Sequence, residues 1–463
     1  MNNRILGILA IVIIIAAAFV ALWQFNVFAP APSAEARKIK IGIVAGMQTV
    51  EGKDIDRAAS LAIDEINAQG GVWVEEWHTK VLIDPILVDT VDDGAGSTAG
   101  PVTRAIKDDQ VDVLIGGATT GGTLNGQIPA INDRVPFIIT GASLNLVTRR
   151  GSLPVDNPLR INDTVGMSYM FHYCTTISDY SQTVAHFLAD SVKPKLDSEY
   201  SFDSSRKLRL AVLHRDDGYG RGVRDVTSTI IANDNLPIEV VATAAYAPTA
   251  TTYQPQLITI KDSNPDAVYI AGFTADTAEI IKEGINDVGL KSLYIAVEIC
   301  EDPQFYTLLG ATGDKQILES KIATQWQGST WYLPQVGTYV ESYKQKYNGI
   351  VPGMLGADTY DAVYITKNAI ERAGTLNKEK VRDAIETTDM PQSLLIMENQ
   401  RITFSTGTNY HEILPKTFIE QLVWNSAAGE LKPSVVYPAS MPGISSFKQS
   451  DFVLPSGYEP GSP

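Results

Sequence analysis

Short apolar runs alternate with amphipathic segments twice along this chain, and that repeated alternation restricts its fold more than any other feature. Residues 39–45, 81–88, 111–116 and 135–140 read as strands. The segment 54–69 reads as a helix, with Ile55, Ala58, Ala59, Ala62, Ile63 and Ile66 on one face and Gly70-Gly71 as its stop. The pattern resumes further on, with strands at 208–214, 238–243, 267–271 and 292–297 and helices at 222–232, 253–261 and 275–288. Strands that are apolar almost throughout are buried on both faces, as in parallel sheets covered by helices. Pro85 places 81–88 near a sheet edge, where a missing N–H is tolerated. The two runs, separated by the polar segment 157–164, predict an α/β chain of two doubly wound parallel-sheet lobes. Later helices at 336–347, 359–373 and 378–386 are expected to return to the first sheet. The tail from 445, rich in Ser, Pro and Gly, is expected to be loosely ordered.

Ahead of this region, Arg4 precedes an uncharged apolar run at residues 5–23. As a helix that run spans roughly 28 Å, about one hydrocarbon core. It exceeds the ~7–15 residues of a signal-peptide core. Residues 1–28 are therefore read as a single transmembrane anchor, with a signal sequence cleaved near 29–36 as the alternative, and 29–38 as a linker. Arg4 keeps the short N-terminal end in the cytoplasm, so either reading puts the rest of the chain outside, extracellular or periplasmic. The charge balance, 37 basic against 53 acidic residues for a net −16, argues against a nucleic-acid partner. Two cysteines, Cys174 and Cys300, exclude a disulfide-rich scaffold and a cysteine-based zinc motif. His172 and His186, on an expected helix, are read as packing or surface residues. No HExxH or GxSxG is present, and no metal, cofactor or catalysis is expected.

Ligands of open parallel sheets sit beyond the carboxyl ends of the strands. That rule selects the loop GGATTGGT at 116–123, whose N–H groups and Thr hydroxyls suit an anion. A glycine turn needed only for backbone shape is the equal alternative. The loop GAS at 141–143 has the same standing. The loop DDGYGRG at 216–222 lacks the spacing of a phosphate loop, and Glu298 follows the apolar run 294–297 directly.

Read together, IKIGIVAG, EGKDIDRAASLAIDEINAQGGV, VDVLIGGATTG, VPFIITGAS, LRLAVLHRDDGYGRG, PDAVYIAGFTAD, GLKSLYIAVE and TYDAVYITKNAIERAG resemble the branched-chain amino-acid (Leu/Ile/Val) binding-protein family, type I periplasmic solute-binding proteins of ABC importers. The resemblance implies two lobes joined by a three-strand hinge. It divides the chain into lobe 1 at 39–162 and 323–398, lobe 2 at 163–322 and 399–445, and a tail at 446–463. It implies that Thr120, Gly141 and Ser143 hold an α-carboxylate, with Thr119 beside them. It further implies that Tyr219 and Phe273 cover the solute and that Glu298 holds the α-ammonium.

Three departures bear on selectivity. The loop GMQTV after the first strand is shorter than usual, Glu51 stands where an aromatic ring is common, and Leu355 stands where another large pocket side chain is common. The acid often found at the first lobe crossing is offset to Asp163, with Val165 in its register. The resulting expectation is a protein that closes on an amino acid or amide-like solute and delivers it to membrane permease subunits. A ligand-sensing ectodomain, or binding of amides or urea, is the alternative. Cys174 and Cys300 are expected to approach each other in lobe 2, where export permits a bridge.

Overall fold

The computed structural model describes residues 37–461, apart from 93, 298–299, 301–302, 322–332, 399, 408–409, 442–443 and 446. The chain divides into two compact units at Lys38/Ile39, and the second unit, Ile39–Pro463, carries both large sheets and the cleft. The expected anchor at 1–28 lies outside the described residues. Among those described, no helix is long and apolar enough to cross a membrane.

The first sheet contains β1 (Ile39–Ala45), β2 (Ile83–Asp89), β3 (Val113–Gly116), β4 (Phe137–Ile139) and β5 (Met170–His172). All run parallel, in the order β2-β1-β3-β4-β5. Pro85 does lie in an edge strand, β2. The second sheet contains β6 (Leu208–Arg215), β7 (Ile238–Tyr246), β8 (Ala267–Ala271), β9 (Leu293–Ala296), β10 (Ile317–Lys321), β11 (Phe418–Asn425) and β12 (Glu430–Tyr437), in the order β12-β11-β10-β9-β8-β6-β7. Its first five strands are parallel, but β11 and β12 form an antiparallel hairpin at one edge, which the periodicity does not indicate.

The helices that matter for the cleft are α1 (Val50–Ala68), α2 (Thr120–Asp133), α3 (Ile177–Phe187), α4 (Gly218–Asn233), α5 (Thr274–Lys282), α6 (Pro334–Lys346) and α7 (Met354–Ala373). The apolar stripe of α1 packs with Ile39, Ile41 and Ile43 of β1 and with Val336, Ala362, Ile365 and Ala369 of α6 and α7. The late helices thus return to the first lobe. Buried Asp54 of α1 ties them there. It accepts the Tyr343 hydroxyl (2.7 Å) and the N–H groups of Gly353 (3.1 Å) and Gly356 (2.6 Å) at the start of α7.

Several local expectations are corrected. His172 lies on β5, not on a helix, while His186 lies in α3 and bonds Asp234 at 3.0 Å. β5 lies beyond residue 162, yet it pairs with β4, so the first crossing comes later than the family boundary. Asp163 caps a short helical turn instead, accepting from Gly166 N (2.8 Å) and from both terminal nitrogens of Arg134. The third crossing is also later than 399, because Ile413 N still donates to His172 O (3.2 Å) before β11 begins at Phe418. The residues at the expected second crossing, 322–332, lie outside the described residues. Cys174 follows β5 and Cys300 packs in the second core. Both are buried, and no disulfide joins them.

The described part of the tail packs through aromatic side chains, of which Phe452 and Tyr458 join the second lobe's core, where a loosely ordered segment is expected from composition. Phe447, Phe452 and Tyr458 are buried, and Phe452 meets Phe187 edge-on at 5.5 Å. Scattered aromatic side chains supply enough burial to fix a Ser/Pro/Gly-rich backbone.

A second buried carboxylate, Asp361 of α7, sits at the first crossing. It accepts from Tyr173 Oη (2.7 Å), Ser393 Oγ (3.2 Å) and Leu394 N (2.7 Å). Burial outweighs these bonds and pushes its carboxyl up to about 7. Between about pH 4 and pH 7 the unfolded chain has released this proton while the folded chain keeps it. Stability therefore falls as pH rises through that window, by up to about 1.4 kcal/mol per pH unit from this group, and the loss levels off above it. Asp361→Asn is expected to remove that slope. Urea midpoints of wild type and variant that run parallel across the window would show that the carboxyl is not held protonated.

Candidate functional site

The lobe-1 side of the cleft is built at the ends of β3 and β4. Gly116 and Gly117 have φ of +118° and +84°, and a Cβ on Gly116 would lie 2.2 Å from Val44 O. The loop therefore needs glycine for its shape. Thr140 N and Ala142 N donate to Gly116 O and Gly117 O, bringing the two loops backbone to backbone. Gly141 is required at that approach, since a Cβ there would meet Ala118 Cα at 2.7 Å. The same loop then delivers Thr119 as the N-cap of α2, accepting from Gly122 N at 3.0 Å. Thr120, the first residue of α2, is 2% exposed, and its Oγ1 has no hydrogen-bond partner. Backbone shape and polar recognition, posed as alternatives by the sequence, thus occupy successive residues of one loop. Ser143 is buried, and its Oγ lies 3.3 Å from Tyr180 Oη on α3.

The second lobe supplies the opposite wall. Asp217 caps α4, accepting from Gly220 N at 2.9 Å, which sets Tyr219 at the helix start. The ring of Tyr219 stacks on Phe273, with centroids 5.6 Å apart and planes 5° from parallel. The Arg215 guanidinium sits 4.8 Å from the Phe273 centroid and is paired with Asp217 (2.9 Å) and Asp276 (3.2 Å). Burial works against the arginine's charge, but Asp276 and Asp217 outweigh it and hold its pKa above the ordinary value. Burial pushes the Asp276 carboxyl above the usual range, opposed by the Tyr246 hydroxyl and Arg215. The walls meet closely. A Cβ on Gly218 would lie 3.8 Å from Thr120 Cγ2, and one on Gly222 would lie 3.0 Å from Leu144 Cδ1.

Between the walls lies a cavity of about 540 Å³ that touches Thr119, Thr120, Glu51, Arg215, Tyr219 and Phe273. A small inner recess adds Gly141, Ser143 and Met354 to Thr120, Tyr219 and Phe273. Of the residues picked from sequence, Thr119, Thr120, Gly141, Ser143, Tyr219, Phe273 and Glu51 are brought together. Leu355 packs in the first core, and its neighbour Met354 lines the recess in its place. Glu298 lies outside the described residues. Sequence reasoning misses Arg215 and Met354. Arg215 is the last residue of β6, so the strand-end rule reaches it. In the run RDDG, however, its charge reads as part of a solvated turn. Met354 carries no local signal at all.

Residues 38–412 match the family described as periplasmic binding protein. The chain belongs to that family. Its members are binding proteins rather than enzymes, and this periplasmic binding protein has the family's type I fold of two lobes about a cleft. It is 22% identical over 362 residues to the Leu/Ile/Val-binding protein homolog 7 of Brucella abortus (strain 2308), covering 76% of this chain and 82% of that one. Its fold matches the branched-chain amino acid transporter substrate binding protein LivJ of Streptococcus pneumoniae, in complex with isoleucine. The TM-score is 0.65 at 19% identity, covering 87% of this chain and 100% of that one. It also matches an ABC-transporter solute binding protein of Rhodopseudomonas palustris BisB5, in complex with 3,4-dihydroxybenzoic acid. Here the TM-score is 0.68 at 18% identity, covering 90% of this chain and 98% of that one.

Proposed function

We propose that this periplasmic binding protein captures an amino acid between its lobes on the outer side of a membrane and hands it to an ABC-type importer. The carrying observation is Thr120, whose buried Oγ1 has no partner at the start of α2 and beside Gly141 and Ser143. Such a group, with the N–H groups of a helix start, suits a carboxylate. Tyr219 and Phe273 supply apolar cover from the other lobe, as hinge closure requires. Glu298, two residues beyond the end of β9, is assigned to the α-ammonium by its place in the sequence. Residues 1–28 are assigned as the tether that keeps the protein near its permease. The lobes are taken as the two sheets with their covering helices. The stacked ring pair and Arg215 favour one second reading, an aromatic carboxylate such as that bound by the R. palustris protein.

Calorimetric titration with L-leucine and with 4-hydroxybenzoate separates the two. On the amino-acid reading, leucine binds and Glu298→Ala weakens it by about 2–5 kcal/mol, roughly 30-fold to several-thousand-fold. Thr120→Ala weakens it less, because backbone N–H groups remain. An unchanged affinity in Glu298→Ala would falsify the ammonium assignment and turn the reading toward an uncharged amide or urea-like solute. Binding of 4-hydroxybenzoate alone would replace it with the aromatic-acid reading.

A further inference from the structure

The second-lobe wall of the cleft holds a donor that the protein does not use for itself. Arg215 is the last residue of β6, and α4 begins directly on its backbone, since a Cβ on Gly220 would lie 2.1 Å from Arg215 O. Two carboxylates then fix the side chain. Nε donates to Asp217 Oδ2 at the cap of α4 (2.9 Å), and Nη1 donates to Asp276 Oδ2 in the first turn of α5 (3.2 Å). The Phe273 ring holds the guanidinium from a third side, at 4.8 Å. A guanidinium has further N–H donors in the same planar fork. No described residue accepts a hydrogen bond from Nη2. The side chain is 21% exposed and lines the cavity of about 540 Å³, where it is the one cation among the described lining residues.

Asp217 lines the same cavity beside it. Its Oδ1 accepts from Gly220 N (2.9 Å) and its Oδ2 from Arg215, and each carboxylate oxygen has a second lone pair. The wall therefore presents an N–H donor next to a carboxylate acceptor. That is the complement of a carboxamide, whose oxygen accepts and whose NH₂ donates. Charge decides in the same direction. Asp217 and Asp276 already offset the guanidinium, so a carboxylate on the solute's side chain would meet no surplus positive charge and would face Asp217. A neutral amide meets no such repulsion. An apolar side chain would take water from Nη2 and return no hydrogen bond. On the opposite wall of this cavity stands Thr120, whose buried Oγ1 has no partner. A cavity of this size holds a whole ligand.

We infer that the solute is an amino acid with a side-chain carboxamide, glutamine-like or asparagine-like, which spans the cleft from Thr120 on one lobe to Arg215 and Asp217 on the other. This rests on the amino-acid reading above and makes Arg215 the residue that sets the side-chain preference.

The test is calorimetric titration of the full-length chain in detergent with L-glutamine, L-asparagine, L-glutamate, L-leucine and 4-hydroxybenzoate. The better of the two amides is expected to bind at least about tenfold tighter than glutamate and leucine, because a hydrogen bond to a charged donor is lost or opposed in those two. Arg215→Lys keeps a cation between Asp217 and Asp276 but lacks Nη2. It should bring the better amide to within about threefold of leucine. A merely structural loss would weaken both alike and leave their ratio unchanged. An unchanged ratio in the variant, or glutamate or leucine binding wild type as tightly as the better amide, would overturn the inference and leave the amino-acid reading intact. Failure of all four amino acids to bind, with or without binding of 4-hydroxybenzoate, would overturn both. The wild-type ratio of amide to leucine decides the matter even if the variant fails to fold.

Discussion

Arg149→Ala is expected to destabilise the protein by about 2–4 kcal/mol, read as a lower urea midpoint at unchanged slope. Glu412 lies on the segment that crosses from the first lobe to the second for the last time, and its side chain is 2% exposed. Arg149 grips it with two nitrogens, Nε to Oε1 at 2.8 Å and Nη2 to Oε2 at 2.5 Å, and the Thr148 hydroxyl adds a third bond at 2.9 Å. Removing the guanidinium leaves a buried carboxylate with one hydroxyl donor. Such an uncompensated charge costs about 3–5 kcal/mol when fully enclosed. Arg149 is itself 31% exposed, so water can enter the vacated space, which sets the lower range. Arg149→Lys should recover part of the loss, because a point charge replaces the fork without matching its geometry. A midpoint for Arg149→Ala equal to that of wild type would show that the crossing segment is held by its backbone bonds to β5 alone. The fork also sits beside the hinge. The variant is therefore expected to bind its solute more weakly than its stability loss alone explains, since closure needs the crossing segments in register.

The parts of this fold that were legible in the sequence are those where one physical signal acted alone. Residues 267–271 are apolar at every position because β8 is buried on both faces, and the expected strand coincides with the observed one. The crossings were less legible. β5 is three residues long and ends in a histidine, and it follows a polar turn capped by Asp163 that reads as a lobe boundary. The hairpin β11–β12 mixes buried glutamate and glutamine with apolar residues. Its burial depends on partners distant in sequence, which no local pattern records. At the cleft, the strand-end rule found both walls because the loops that form them sit where parallel topology puts every loop of that kind. Arg215 was hidden for the opposite reason. Its meaning comes from Asp276, distant in sequence, and from a ring beneath it.

Asp266→Ala is expected to cost about 3–5 kcal/mol and to release the C-terminal tail, although the mutated residue lies in the loop before β8. Asp266 is fully buried. It accepts from both terminal nitrogens of Arg206 (3.0 and 2.9 Å), from Arg209 N (2.7 Å) and from Gly461 N (2.9 Å). Tyr458 Oη bonds its carbonyl at 3.2 Å, and Arg206 donates in turn to Gly461 O at 2.6 Å. The carboxylate is therefore the common partner of a buried guanidinium and of the chain end. The Arg206 side chain is 9% exposed, so without Asp266 it is left as a nearly enclosed charge with no counter-ion, held by the Gly461 carbonyl and the face of the Phe202 ring at 4.2 Å. The cheapest relief is for the arginine to swing outward, which breaks its bond to Gly461 and frees the last turn of the tail. Two measurements separate this from simple loss of packing. Denaturant unfolding should show the lowered midpoint. Carboxypeptidase digestion under native conditions should shorten the variant from its C-terminus while wild type resists. Arg206→Met with Asp266→Leu removes the charges together, and on the same reasoning it should regain most of the stability but not the protection of the tail. If Asp266→Ala unfolds earlier while its C-terminus stays resistant, the tail is held by Phe452 and Tyr458 packing rather than by the ion pair.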